Sequence, residues 1–174
     1  MGMTEGYPFI FVMNDNKKEN ELQKYSMQYR FKSEKSNHKY IVRVECYDEH
    51  AYCLKFFDKS HTLSNDKYSL RTGTFEPRTI FYTLIKILLD VLDKDNKASF
   101  FFIGANDEKD TPGKATRRFR IYQKFVLSVI GDRVFKHYRN NNLSLYILVN
   151  KKGVEHEDLF ISKITEEVQK RLLA

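Results

Sequence analysis

The sequence predicts an α+β protein in which an N-terminal antiparallel β meander precedes a central helix, a strand–helix–β-hairpin unit and a C-terminal amphipathic helix. This prediction rests on a change in the spacing of apolar residues along the chain. Apolar residues alternate with polar ones through residues 7–58, as in half-buried strands, and recur every three to four residues from residue 80, as in helices. The length of 174 residues suits one domain, so we expect residues 1–174 to form a single one.

Four segments in the first third of the chain have the composition of strands. Their sequences are YPFIFVM, KYSMQYRFK, KYIVRVECY and AYCLKFFD. In the last three segments, alternation places the apolar side chains on one face of the sheet and leaves the other face exposed to solvent. We therefore expect an antiparallel meander that buries Val42, Val44, Leu54 and Phe56.

The two cysteines fall in a spacing that invites a disulfide or zinc site, Cys46-x₃-His50-x₂-Cys53. If residues 48–50 form the loop between two strands, Cys46 lies opposite Tyr52, and Cys53 points to the other face of the sheet. Pairing the two cysteines would shift the register by one residue and expose the apolar side chains of the strand. We therefore expect neither a disulfide nor a metal here.

The segment that follows residue 76 has the spacing of a core-facing helix. Pro77 suits its first turn, after Thr74 or Glu76 near its start. The expected buried positions are Ile80, Phe81, Leu84, Ile85, Leu88, Leu89 and Leu92. The apolar run SFFFIGA then predicts a buried strand.

A second helix is predicted between Thr111 and Gly131. Thr111 is a favourable N-cap, Pro112 fits the first helical position, and Gly131 is a plausible stop after Ile130. The acids of the preceding stretch, Asp107, Glu108 and Asp110, would suit the positive end of this helix.

The remainder of the chain predicts a hairpin and a last helix. Residues 132–152 have the pattern of two strands that turn at Asn140–Asn142. The closing segment is amphipathic, and its expected buried side comprises Leu159, Ile161, Ile164, Val168 and Leu172.

The positive charge of the chain is concentrated in one segment. The net charge is +7, but residues 114–152 contain ten lysines and arginines and a single acid, Asp132. The other parts of the chain are neutral or slightly acidic. A localised basic segment of this kind indicates a polyanionic partner, unless folding distributes the charges over several faces.

The basic residues of the second predicted helix follow one side of it. The spacing of Arg117, Arg120 and Lys124 places them in a row opposite the apolar face of the helix. Arg118 lies at the boundary between the two faces, and Lys114 lies in the first turn. Free backbone N–H groups at a helix start also favour an anion. The candidate anion or nucleic-acid contacts are Lys114, Arg117, Arg118, Arg120, Lys124 and, from the hairpin, Lys136 and Arg139.

This part of the chain resembles a family of uncharacterised bacterial domains that is common in Bacteroidetes. Those domains pair a strand with the approximate pattern Phe-x-Gly-Ser with a helix that opens Arg-x-Arg-x-Tyr; here the corresponding segments are FFIGA and RFRIYQKF. The hairpin ending LVNKK is also similar, so that the resemblance covers about residues 98–152. The intervening loop is longer and more acidic here. The resemblance implies no activity, only that Arg118, Arg120 and Tyr122 act as a unit.

We expect a cytoplasmic domain that binds nucleic acid or another polyanion without catalysis and without a cofactor. No apolar run is long enough to span a membrane, and no nucleophile elbow, phosphate loop or dinucleotide fingerprint occurs. The alternative is a protein-interaction module whose basic face meets an acidic protein, or a homo-oligomer, in either case without nucleic-acid binding. A third hypothesis is a metal-dependent nuclease that uses Asp107, Glu108 and Asp110 beside Lys109.

Overall fold

The computed structural model describes residues 6–64, 67–68, 76–104 and 114–173, with side chains up to residue 170. The order of elements confirms the predicted α+β class. The strands are β1 (Phe9–Asp15), β2 (Tyr25–Lys32), β3 (Lys39–Tyr47), β4 (Ala51–Asp58), β5 (Ser99–Ile103), β6 (Phe135–Asn140) and β7 (Leu145–Asn150). The helices are α1 (Pro77–Lys94), α2 (Arg117–Val129) and α3 (Glu157–Leu173).

All seven strands join one mixed sheet in the order β1-β2-β3-β4-β5-β7-β6. The first four strands form the predicted antiparallel meander. Strand β5 pairs parallel to β4 and antiparallel to β7, so that it lies inside the sheet between segments distant in sequence. A parallel pair needs a long crossover, and α1 lies within it.

The register of β3 and β4 confirms the predicted placement of the two cysteines. Cys46 lies opposite Tyr52 and Val44 lies opposite Leu54. Both cysteines are buried and neither forms a disulfide, and they belong to apolar clusters on opposite faces of the sheet. Val42 and Val44 are fully buried as expected. Leu54 and Phe56 are only partly buried, because they border a cleft described below.

Helices cover the sheet on both faces. Residues of α1 and α2 pack in the larger cluster with Met27, Tyr29, Val42 and Val44. On the other face, α3 packs against β4, β5 and β7 through Phe160, Ile164 and Val168. The prediction for Leu159 was wrong: it is 55% exposed, whereas Phe160 is buried. The helix buries the i, i+4, i+8 row that starts at Phe160, and Leu159 lies about 100° away around its axis. Leu172 falls outside the described side chains.

The second face of the meander is polar, as predicted, but part of it is buried. The side chain of Glu45 has no exposed surface, and its carboxylate accepts from the Tyr47 hydroxyl at 2.9 Å and from Lys55 Nζ at 3.3 Å. Arg43, also buried, donates to Ser26 Oγ at 2.8 Å. Buried charges persist when they are paired in this way, so the alternation correctly predicts polarity but not exposure.

Helix α2 begins later than predicted. Its N-cap is Thr116, whose Oγ1 accepts from the amide of Phe119 at 3.1 Å, and its first residue is Arg117. Lys114 precedes the helix, so the expected start at Pro112 was wrong; Thr111 itself lies outside the described residues. The helix ends as predicted, with Gly131 at φ +65° just beyond it.

Candidate anion-binding surface and the adjoining cleft

Helix α2 rests on the sheet through its apolar side. Phe119 and Val126 are buried, and the rings of Tyr122 and Phe125 pack against Phe81 of α1. Arg117, Arg120 and Lys124 are exposed, as their spacing opposite this apolar face predicts.

Three cations on and near this helix have no acidic partner within the described ranges. Neither Lys114 nor Lys124 forms an ion pair there, and Arg120 donates to the backbone carbonyl of Ala115 at 2.8 Å. Arg139 of β6 lies beside the helix, where it donates to Gln123 Oε1 at 3.5 Å. The α2 basic surface, as we use the term below, comprises Lys114, Arg117, Arg120, Lys124 and Arg139.

The second hairpin cation does not join this surface. Lys136 forms an ion pair with Glu157 of α3 at 2.9 Å, on the face of the sheet opposite to α2. Successive side chains of a strand point to opposite faces, so Lys136 cannot share a face with Arg139, three residues on. The two hairpin cations therefore do not extend one surface, and an anion contact at Lys136 stays a prediction separate from the α2 basic surface.

Arg118 points away from the α2 basic surface and into the protein. Its Nη1 donates to the carbonyl of Tyr68 at 2.5 Å, and its guanidinium lies 5.6 Å from the centre of the Phe56 ring. Arg118 and Tyr122, one helical turn apart, line the same cleft, while Arg120 lies on the surface. The three residues that the family resemblance groups together thus fall into two sites.

The cleft occupies a split in the sheet. Strands β4 and β5 pair only between residues 51–53 and 99–101, and beyond them the two strands no longer pair. The resulting space has a volume of about 390 Å³. Its apolar walls include Leu54, Phe56, Phe81, Leu84, Phe102 and Val126.

Polar groups are few among the described residues that line the cleft. The ring of Tyr122 lies between Phe56, Phe81 and Phe102, with centroid distances of 6.4, 5.4 and 5.9 Å. Its hydroxyl forms no hydrogen bond with any described residue. Burial raises the pKa of Tyr122 to about 12, although the charge of Arg118 opposes the rise. Lys55 also borders the cleft, but it is paired with Glu45.

Three further side chains with chemically active groups, those of His137, His50 and Cys46, lie in structural contacts. His137 lies between the Tyr146 hydroxyl and the carbonyl of Gly131, under the hairpin. His50 contacts Asp95, with Nδ1 and Oδ2 2.7 Å apart. Burial raises the pKa of Cys46, which disfavours the thiolate needed of a nucleophile. The acids of the proposed nuclease site, 107–110, lie outside the described residues.

The described part of the chain contains no cluster of three or more His, Cys, Asp or Glu residues that could hold a metal ion. Within the same ranges, no helix combines the length and apolarity needed to cross a bilayer.

Comparisons with family models, with curated proteins and with solved structures found no match to this chain.

Proposed function

We propose that this protein binds nucleic acid or a similar polyanion through the α2 basic surface, without sequence preference. The observation that carries the proposal is the exposure of Arg117, Arg120 and Lys124 along one side of α2. Lys124 follows Arg117 by seven positions along the helix, which corresponds to about 10 Å at 1.5 Å per residue. A row of cations of that length can contact more than one phosphate.

The surroundings of the row favour an anion further. Lys114 and Arg117 lie at the start of α2, where free N–H groups and the helix dipole attract negative charge. The cost of placing cations there, about 0.3–1 kcal/mol each, is offset when an anion binds. Phosphate contacts give affinity without recognising bases, which is why we expect no sequence preference.

The test is a salt titration of binding to a fluorescently labelled DNA duplex. Changing Arg117, Arg120 and Lys124 to Ala should weaken binding. It should also flatten the plot of log K against log salt, by about 0.9 for each phosphate that the variant no longer neutralises. The matched control changes Arg30, Lys32 and Lys39 to Ala, which removes the same charge from exposed positions on β2 and β3.

Equally weakened binding in both triple variants would mean that net charge alone attracts DNA and would contradict the proposed surface. No binding by the wild type at low salt would refute the proposal. Circular dichroism melts of both variants exclude unfolding as the cause, since exposed substitutions usually change stability by less than about 0.5 kcal/mol.

A second candidate, self-association, is favoured by the exposed edge of the sheet. Among the described strands β1 pairs only with β2, and four consecutive apolar residues on it, Ile10 to Met13, are 39–49% exposed. Uncovered edge strands pair readily with other strands. The stretch from Phe9 to Asn14 carries no charge, so two copies could pair through it without repulsion between like charges.

A further inference from the structure

We propose that the cleft between β4 and β5 binds a neutral aromatic molecule of two or three fused rings, in a site separate from the α2 basic surface. Its position is the first reason. Ligands of sheets that contain parallel strands bind where neighbouring strands separate at their carboxyl ends. Strands β4 and β5 pair in parallel, and the cleft opens just after their last paired residues, Cys53 and Phe101.

The walls of the cleft leave apolar surface uncovered beside the core. Leu54, Phe56 and Tyr122 pack against the larger apolar cluster and line the cleft, yet each remains partly exposed. The volume of about 390 Å³ lies within the usual range for small-molecule sites, roughly 300–1,000 Å³. A ligand that covers these side chains gains the free energy of removing apolar surface from water.

Aromatic rings define the body of the ligand. The ring of Tyr122 lies near those of Phe56, Phe81 and Phe102, with centroid distances of 6.4, 5.4 and 5.9 Å. All four rings line the cleft. Aromatic pairs at such distances gain from offset and edge-to-face contacts, in addition to the burial of their surface. A flat ligand of fused rings can make contacts of this kind with several of these side chains at once.

Both cations of the described lining already have partners, so we expect the ligand to be uncharged. Lys55 Nζ lies 3.3 Å from Glu45 and 3.8 Å from Glu19. Arg118 donates to the carbonyl of Tyr68 and takes part in a further contact. The described lining contains no acid. An ionised ligand would therefore lose its hydration without gaining a partner, which is costly in an apolar site.

The experiment compares 2-acetylnaphthalene with 2-naphthoate, which has nearly the same shape but carries a negative charge. The chain contains no tryptophan, so the fluorescence of the naphthalene group can be followed in titrations of the full chain. The ketone should bind about tenfold or more tightly than the acid, because an unpaired carboxylate is costly to bury. Its affinity should be the same at low and high salt, whereas naphthoate held by the α2 basic surface would dissociate as salt is added.

A matched pair of variants tests whether the ketone occupies the cleft. Leu54→Phe enlarges a partly exposed side chain of the lining and should weaken binding about tenfold or more. Leu89→Phe makes the same change at a partly exposed side chain of α1 that packs against the same core outside the cleft, and it should leave binding unchanged. Equal weakening by both variants, no saturable binding at millimolar concentration, or binding of naphthoate as tight as that of the ketone would each overturn the proposal.

Methyl NMR signals of the wild type locate the ketone without any substitution. The signals of Leu84 and Val126, which line the cleft, should shift when the ketone is added. Those of Leu63 and Leu159, which are exposed elsewhere, should stay unchanged and serve as controls for non-specific contact with apolar surface. If Leu54→Phe unfolds, this measurement decides alone, and shifts of similar size at all four residues would refute the proposal.

Discussion

The side chain of Thr116 joins the end of β5 to the start of α2 by bonding to the backbone of Gly104. Thr116 Oγ1 donates to the Gly104 carbonyl at 3.0 Å and accepts from the amide of Phe119 at 3.1 Å. The Gly104 amide in turn donates to the carbonyl of Ser144 at 2.9 Å. One hydroxyl thus caps α2 and fixes it to the sheet, which sets the positions of both Arg117 and Arg118.

Replacing Gly104 with Ala should destabilise the fold. A Cβ there would lie 2.5 Å from Thr116 Oγ1 and 2.6 Å from the Phe119 amide nitrogen, both closer than atoms can approach. We expect a loss of about 1–3 kcal/mol in the free energy of unfolding, typical of overpacking, measured by urea denaturation. Gly131→Ala is the control, because it meets open space and strains only the positive φ. A smaller loss at Gly104 than at Gly131 would contradict this packing.

Replacing Thr116 with Val should remove the cap while keeping the shape of the side chain. The loss should be about 0.5–2 kcal/mol, the usual value of an N-cap, and Thr116→Ser should retain most of the stability because it keeps the hydroxyl. Urea denaturation of the three proteins measures this difference. If Ser and Val proved equally harmful, the packing of the methyl group and not the hydrogen bonds would be the source of stability.

Acid should destabilise the protein through Asp58 and Asp95. Burial alone would raise the pKa of each carboxyl, but hydrogen bonds, led by those from His38 and His50, outweigh it and hold the pKa below its ordinary 3.8. Their contribution is therefore complete above pH 3.8 and is lost as the pH falls through the lower folded-state pKa. Asp58→Asn should lower the melting temperature at pH 7 and reduce its fall between about pH 5 and pH 2. If the melting temperature of the Asp58→Asn variant fell as steeply with decreasing pH as that of the wild type, Asp58 would not be a source of the acid sensitivity.

Alkali should unfold the protein before its buried tyrosines ionise. Burial raises the pKa of Tyr122 and Tyr146 to about 12, and it raises those of Tyr29, Tyr52 and Tyr68 further. The folded-state pKa of these tyrosines is above the unfolded value of 10.0. The folded state therefore keeps its full stability below pH 10 and loses stability as the pH rises above it. Tyrosinate absorbance in the near ultraviolet should therefore rise steeply, together with the loss of circular dichroism. Titration of all eleven tyrosines near pH 10 without unfolding would contradict the burial.

Self-association through β1 should be abolished by one charge on the edge strand. Val12 is 39% exposed, and Lys at this position should prevent pairing of two copies, since lysine on an edge strand opposes such contacts. Light scattering should give a dimer for the wild type and a monomer for Val12→Lys. The control is Leu63→Lys, at a side chain that is 98% exposed outside the sheet. A monomeric wild type at high concentration would exclude this candidate.

Features that depend on the local spacing of apolar residues are predictable from the sequence. Features that depend on contacts between residues far apart in the chain are not. The alternation of β2 to β4 determines their register, including the separation of Cys46 from Cys53. The cap of α2 is an example of the second kind: Pro112 favours Thr111 as the cap, whereas the observed cap is Thr116, which is held by its hydrogen bond to Gly104. Side chains alternate between the two faces of a strand, so counting from the buried Phe135 places Lys136 on the face of the sheet opposite to Phe135. The position of Lys136 was therefore predictable from the sequence.

The cleft could not have been predicted in the same way. It exists because the pairing of β4 with β5 stops after three residues, and these strands are more than 40 residues apart in sequence. No local sequence pattern indicates where two strands so far apart in the chain stop pairing. Similarly, the inward turn of Arg118 depends on the carbonyl of Tyr68, 50 residues earlier in the chain.

The central position of β5 has a consequence for biosynthesis. When the chain emerges from the ribosome, the meander can fold first, because its contacts are local and antiparallel. Strand β5, whose core is FFFI, can then pair with β4, but its other edge stays open until β7 has been made, some 45 residues later. During that interval the nascent chain displays an aromatic strand edge, a hazard for aggregation. A chain that stops before residue 145 should therefore depend on chaperones to remain in solution.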